Sequence, residues 1–258
     1  MCLITFAYKT HPEFDLILLA NRDEFRNRSF EPAHKWGKVQ KVISGIDLSA
    51  NGTWTGVTES GRIAVITNYR QGLDLNPELR SRGELATSFL DSDMSPQNYL
   101  ELLRESKDSF NGYNILFGDR DALIWYCNIN DLPQFISPGV YGLSNSLLDT
   151  QWPKVNELKT RFYHKLELNQ VEPDQLMPLM LDKLPYPESQ LPNTGIEKNL
   201  EIGLSPIFVD LEGYGTVLTT LIYMGKQANS LVEYMHLDHA NQLSCCHSSQ
   251  VYTFNSQV

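Results

Sequence analysis

The sequence predicts an α+β protein whose antiparallel sheets carry helices on their faces. Three observations lead there. Apolar runs of strand length fall in pairs joined by short turns, which makes the paired strands antiparallel neighbours. Helical periodicity is confined to two blocks, residues 81–103 and 152–184. The order is therefore strands, two helices, strands, two helices, strands, and helices grouped in blocks can cover sheet faces. A sandwich of two sheets between two helical layers fits this order, as do other α+β arrangements. No repeat, low-complexity tract or linker divides residues 1–258, so a single domain is expected.

In chain order, Cys2-Leu3-Ile4-Thr5-Phe6-Ala7-Tyr8 is an apolar run of strand type. A turn around Thr10-His11-Pro12-Glu13 leads to Asp15-Leu16-Ile17-Leu18-Leu19-Ala20, and the short connection makes the two runs a hairpin. Residues 25–41 are too polar for core and read as a loop. Gly52-Thr53-Trp54-Thr55-Gly56-Val57 and Arg62-Ile63-Ala64-Val65-Ile66-Thr67 pair across the turn Glu59-Ser60-Gly61. Ser81-Arg82-Gly83-Glu84 has the spacing of a capping box and precedes Leu85, Phe89 and Leu90 at helical intervals. Ser95-Pro96 opens a second helix with Tyr99, Leu102 and Leu103 on one face. Strands resume at 113–117 and 123–127, helices are expected over 152–168 and 173–184, and 185–194 is a loop. Strands at 215–224 and 231–237 close the series.

Composition narrows the function. An apolar share of 41% and a charged share of 20% are those of a folded globular chain. A net charge of −10 argues against a nucleic-acid binder, which needs a basic face. No apolar run approaches bilayer length, and the start lacks the basic region of a signal peptide, so a cytoplasmic protein is expected. Four cysteines in 258 residues are no disulfide framework. Cys245-Cys246-His247, with His236 and His239 upstream, fits no common zinc spacing, so no metal site is expected. Cys127 reads as a small buried residue within a strand.

Cys2 carries the chemistry. Removal of Met1, easy before so small a side chain, would leave Cys2 with both a thiol and a free α-amine. A thiolate attacks carbonyl carbon, and an amine titrating near roughly 8 can serve as its base. Nucleophile and base on one residue is the arrangement of N-terminal nucleophile hydrolases. A small residue buried at a strand start is the plainer alternative. If the first two strands form a hairpin, Asn21-Arg22-Asp23-Glu24 emerges beside Cys2. There an arginine or amide would stabilise a thiolate and a carboxylate could hold the amine. A charged turn would read the same way.

Several segments together resemble one family. They are the Met1-Cys2 start, Asn21-Arg22-Asp23-Glu24, Gly52-Thr53-Trp54, Thr67-Asn68-Tyr69-Arg70 and Ser81-Arg82-Gly83. Leu143-Ser144-Asn145, Trp152-Pro153-Lys154 and Leu204-Ser205-Pro206-Ile207-Phe208 complete the set. In this order and over nearly the whole chain they resemble the NRDE family, also called transport and Golgi organisation protein 2. The family looks like a branch of the N-terminal nucleophile fold, nearest to the choloylglycine hydrolase and penicillin V acylase group. The resemblance implies a four-layer αββα sandwich. It implies Cys2 as nucleophile, Asn68 as oxyanion donor, Asn145 as a second, structural asparagine, and a site role within Asn21, Arg22, Asp23 and Glu24. Two departures stand out: Arg22 and Asp23 are adjacent where the acylases have an Arg-x-x-Asp arrangement, and Val217 follows Tyr214-Gly215-Thr216 where the family shows an arginine. The implied activity is cleavage of a C–N amide bond in a small molecule, without a cofactor. The alternative is a carrier or trafficking factor that holds a ligand in the same cavity. Haem or a lipid is the candidate there, because NRDE relatives are linked to haem mobilisation and lipid homeostasis.

Overall fold

A computed structural model describes residues 2–72, 75–226, 232–239 and 249–254. The chain begins with β1 (Cys2–Tyr8), β2 (Phe14–Phe25), β3 (Phe30–Trp36), β4 (Val42–Asp47), β5 (Thr55–Thr58) and β6 (Ile63–Asn68). Helices α1 (Gly83–Leu90) and α2 (Pro96–Glu105) follow, then β7 (Tyr113–Gly118), β8 (Leu123–Cys127), β9 (Gln134–Phe135) and β10 (Gly139–Leu143). The last part holds α3 (Pro153–Glu167), α4 (Pro173–Leu176), α5 (Lys198–Gly203), β11 (Asp210–Leu211), β12 (Tyr214–Gly225), β13 (Val232–Asp238) and β14 (Ser249–Phe254).

Two antiparallel sheets result. The first runs β10-β1-β2-β12-β13-β14, with β11 paired to β12; the second runs β3 to β9 in chain order. Side chains alternate across each strand, so every strand feeds two layers. Ile4, Phe6, Leu18 and Ile222 of the first sheet meet Ile43, Val65, Leu116 and Trp125 of the second in the central core. On the first sheet's other face, Leu3, Ile17, Leu19 and Leu221 bury Val155, Leu158 and Phe162 of α3. On the second sheet's outer face, Ala64, Ile66, Ile115 and Phe117 bury Leu85 and Phe89 of α1 and Tyr99 and Leu103 of α2. The architecture is a four-layer αββα sandwich. Among the described residues no helix is long and apolar enough to cross a membrane.

Five sequence expectations are corrected. β2 continues through the polar tetrad to Phe25, because β1 pairs with it on one side and β12 on the other, so polarity there does not mark an exit from the sheet. The expected loop at 25–41 contains β3, an edge strand in which only Ala33 is buried, which hides it from a hydrophobic pattern. The capping box at Ser81 does not form: α1 has no side-chain cap, and Glu84 accepts from Arg80 instead, at 2.8 and 3.1 Å. In α2 the buried face is Tyr99, Leu100 and Leu103, while Leu102 is exposed. The helix expected over 173–184 stops after one turn at Leu176 and tightens into a 3₁₀ turn, Met177–Met180, where Pro178 supplies no backbone N–H.

Candidate active site

The site forms where four strand ends of the two sheets meet. Cys2 opens β1 directly opposite Arg22 of β2, so the two side chains are neighbours on the face that looks toward the second sheet. Cys2 is half-buried, and the Asp23 backbone N–H donates to its thiol. The Cys2 carbonyl accepts from Ser144 Oγ at 3.1 Å, which ties the exit of β10 to the start of β1. Thr67 of β6 donates to the Ser144 carbonyl at 2.8 Å, bringing in the second sheet.

The tetrad divides between the two faces of its strand. Asn21 points away from the thiol into the α3 layer. It is fully buried, its Nδ2 donates to the carbonyls of Met180 and Ile207 at 2.9 Å each, and its Oδ1 accepts from Thr219 at 2.7 Å. Thr219 shares its hydroxyl with His239 Nε2 at 2.9 Å, so His239 belongs to this structural chain. Arg22 lies on the thiol face. Its Nη2 donates to Asp47 at 2.9 Å, its guanidinium lies 4.2 Å from the Trp54 ring centroid, and its buried Nη1 has no partner among the described residues. Asp23 shares the face of Asn21, is 1% exposed, and accepts from Thr216 at 2.7 Å. Glu24 is half-buried, with its Oε2 3.6 Å from Arg22 and 3.7 Å from Arg28.

The asparagines expected at the site bond to each other. Asn145, fully buried, donates from Nδ2 to the Asn68 carbonyl at 2.9 Å, and its Oδ1 accepts from Ser144 Oγ at 3.3 Å. The Asn68 carboxamide makes no hydrogen bond among the described residues. Alternation along β6 puts Asn68 on the face of Ala64 and Ile66, at the strand's last position. Val217 forms a bulge in β12, between the register partners Thr216↔Asp23 and Leu218↔Arg22. It is 2% exposed and belongs to the apolar cluster of Trp54 and Leu218, so it stands in the sheet interface. Cys245, Cys246 and His247 lie outside the described residues.

Sequence reasoning gave no role to five charged residues that the fold gathers here. Asp47, at the end of β4, binds Arg22 and takes two bonds from Arg28 at 2.6 and 3.1 Å. Arg70 pairs with Glu201 of α5 at 2.7 Å and stacks 5.0 Å from the Trp152 ring centroid. Lys154, 3% exposed in the first turn of α3, donates to the Leu204 carbonyl at 2.8 Å. Arg82 lies within electrostatic reach of Cys2 and Glu24. Arg70, Arg82 and Lys154 each sit in segments that carry the family resemblance, which was the available signal. Asp47 and Glu201 had none.

Burial dominates the electrostatics. It pushes the Cys2 thiol up, and the Asp23 carboxylate adds to this while Arg22 and the Asp23 N–H oppose it. Burial likewise raises the Asp23 carboxyl, against the pull of Lys154, Thr216 and Arg70. Lys154 is pushed down to about 8 by burial, partly offset by Asp23. Arg70 and Arg82 are lowered by burial as well. A hollow of about 470 Å³, lined by His11, Gly139, Val140, Lys159 and Tyr163, lies at the far end of β1 and takes no part in this cluster.

A family model described as transport and Golgi organisation 2 matches residues 1–236. A mouse protein named transport and Golgi organization 2 homolog is 36% identical over 246 residues, covering 90% of this chain and 88% of its own. The Drosophila melanogaster transport and Golgi organization protein 2 is 27% identical over 254 residues, covering 88% of this chain and 89% of its own. Among solved structures, penicillin V acylase from Agrobacterium tumefaciens aligns over 99% of this chain and 86% of its own, at 11% identity and a TM-score of 0.46. A Caenorhabditis elegans ortholog of N-acylethanolamine-hydrolyzing acid amidase aligns over 86% and 92%, at 11% identity and a TM-score of 0.47. The match over residues 1–236 and the 36% identity to the mouse homolog make the chain a member of the transport and Golgi organisation 2 family.

Proposed function

We propose that this chain is a cysteine N-terminal nucleophile hydrolase that cleaves a non-peptide C–N amide bond in a small molecule, with Cys2 acting after Met1 removal. The observation that carries this reading is the register of β1: Cys2 opens the strand opposite Arg22, with the Asp23 N–H donating to its thiol. In the reaction, the Cys2 sulfur bonds to the substrate carbonyl carbon and its proton passes to the α-amine. The carbonyl oxygen becomes an oxyanion that Asn68, its carboxamide unspent, receives by reaching around the end of β6. The C–N bond then breaks and the leaving amine takes the proton from the α-ammonium. Water, deprotonated by the same amine, adds to the thioester carbon, and thiol and carboxylic acid are released. Arg22 supplies positive charge beside the sulfur in place of the arginine that Val217 replaces.

Mass spectrometry tests the proposal at each step. The mature protein should begin at Cys2, and incubation with an N-acyl amide panel should give an acyl adduct on Cys2 that decays as free acid appears. A retained Met1, or an unmodified Cys2 throughout the panel, overturns the proposal. The relatives' names, which speak of transport and Golgi organisation, favour a second reading in which the fold serves transport without cleaving a substrate, and haem or a lipid is the ligand to test. Saturable binding of that ligand, unaltered in Cys2→Ala and with no acyl adduct formed, is its signature.

A further inference from the structure

Lys154 occupies a position that disfavours a lysine on two counts. It stands in the first turn of α3, where the helix dipole repels a cation, and it is 3% exposed. A methionine would fill the same volume without either cost. Of its three N–H donors, one reaches the Leu204 carbonyl at 2.8 Å; the other two have no hydrogen-bond partner among the described residues. The charged and titratable groups within electrostatic reach of it are Asp23 of β2, Arg70 beyond β6, Glu201 of α5 and Cys2 of β1. Asp23 shares with Asn21 the sheet face that α3 covers, whereas the thiol lies on the opposite face. Asp23 is thus the member of the site that shares the α3 side of the sheet with the lysine, and its influence on Lys154 exceeds that of Cys2.

We infer that Lys154 is a positioning residue of the Cys2 site, whose buried ammonium keeps the Asp23 carboxylate ionised so that it can hold the α-ammonium of processed Cys2. The inference rests on the reading of Cys2 as an N-terminal nucleophile. Thr216 already fills one lone pair of the Asp23 carboxylate, at 2.7 Å, and a hydroxyl cannot replace a charge. Burial pushes the Asp23 carboxyl up, and Lys154 heads the side-chain groups that push it back down. The effect is mutual, since Asp23 is the largest influence opposing the burial that lowers Lys154. Linkage makes the two couplings equal.

The test is NMR titration of the Asp23 carboxyl carbon in the full chain, in wild type, Lys154→Gln and Lys154→Arg. Glutamine keeps a donor for Leu204 without charge; arginine keeps the charge. The Asp23 midpoint should rise by about one pH unit in the glutamine variant and stay at the wild-type value in the arginine variant. Coincident midpoints in all three proteins overturn the inference and leave Lys154 a structural donor. Should Lys154→Gln fail to fold, Asp23→Asn read at the Lys154 side chain decides the matter. Its midpoint must fall by the same amount, and an unmoved lysine overturns the inference. Iodoacetamide labelling of Cys2 in the same samples separates the two claims. A shifted Asp23 with an inert Cys2 supports the Lys154–Asp23 coupling and sinks the nucleophile reading alone.

Discussion

Asp47 shows how a single side chain can hold an electrostatic cluster together. Its two oxygens accept from Arg22 and Arg28, and Oδ1 also accepts the backbone N–H groups of Ser49 and Ala50 at 3.0 and 3.1 Å. Asp47→Ala would leave Arg22 buried with Glu24 as its nearest anion, at 3.6 Å, and should lower stability by about 3 kcal/mol in chemical denaturation. Arg28→Ala removes a half-exposed partner and should cost under about 1 kcal/mol. An equal loss in both would show that the Arg22 pair is not what Asp47 serves. At the thiol, Cys2 should alkylate before the fully buried Cys127 at neutral pH, as peptide mapping can read. For the oxyanion role, Asn68→Ala should cut turnover about a hundredfold. Loss on Asn145→Ala alone would move that role to the residue now bonded to the Asn68 carbonyl. The site was partly legible in the chain. Cys2 and the tetrad were visible because they are adjacent across one hairpin. Arg22 and Asn21 could not be told apart, since their difference is the face of a strand that polarity made look like its end. Asp47 and Glu201 become partners only through long-range folding, and no local pattern marks them.

At the scale of elements, end signals that leave hydrogen bonds proved more informative than spacing. Ser95 caps α2 by accepting the Asn98 N–H at 3.2 Å, so Ser95→Ala should lose about 1 kcal/mol. Ser81, which has the same look in sequence, caps nothing, and Ser81→Ala should leave the melting temperature unchanged. A drop in both variants would contradict this distinction. Gly52 and Gly83 show another kind of signal. A Cβ on Gly52 would come within 2.5 Å of the Gly83 backbone, so the loop before β5 and the first residue of α1 touch through their main chains. Both glycines lie in segments that carry the family resemblance, and this contact gives a physical reason for each. The paired apolar strands were legible because both of their faces are buried, which makes each a continuous apolar run. β3 was not, because an edge strand with one buried residue has no such run.

Across the whole molecule, one buried lysine should be visible in the stability curve. Lys154 binds its proton less tightly folded, at about 8, than in an unfolded chain at 10.5, so between these values the unfolded state holds more protons and folding gains as pH rises. Wild type should therefore gain melting temperature relative to Lys154→Met from about pH 8 to 10.5, and a constant gap would show that the lysine is not titrating in the fold. The topology has a further consequence, for the order of events during synthesis. β2, the strand that carries Arg22 and Asp23, is flanked by β1 on one side and by β12 on the other, and Thr216 of β12 is what engages Asp23. β2 thus waits for a strand made much later in the chain. At about 5–20 residues per second, the interval between Cys2 and Thr216 lasts roughly ten to forty seconds. Throughout it Asp23 lacks the hydroxyl that engages it and β2 lacks its second neighbour, so the sheet beside Cys2 cannot be completed until β12 has been made. On the proposed reading of Cys2, that interval is the time in which an aminopeptidase meets an unfolded Met1-Cys2 terminus.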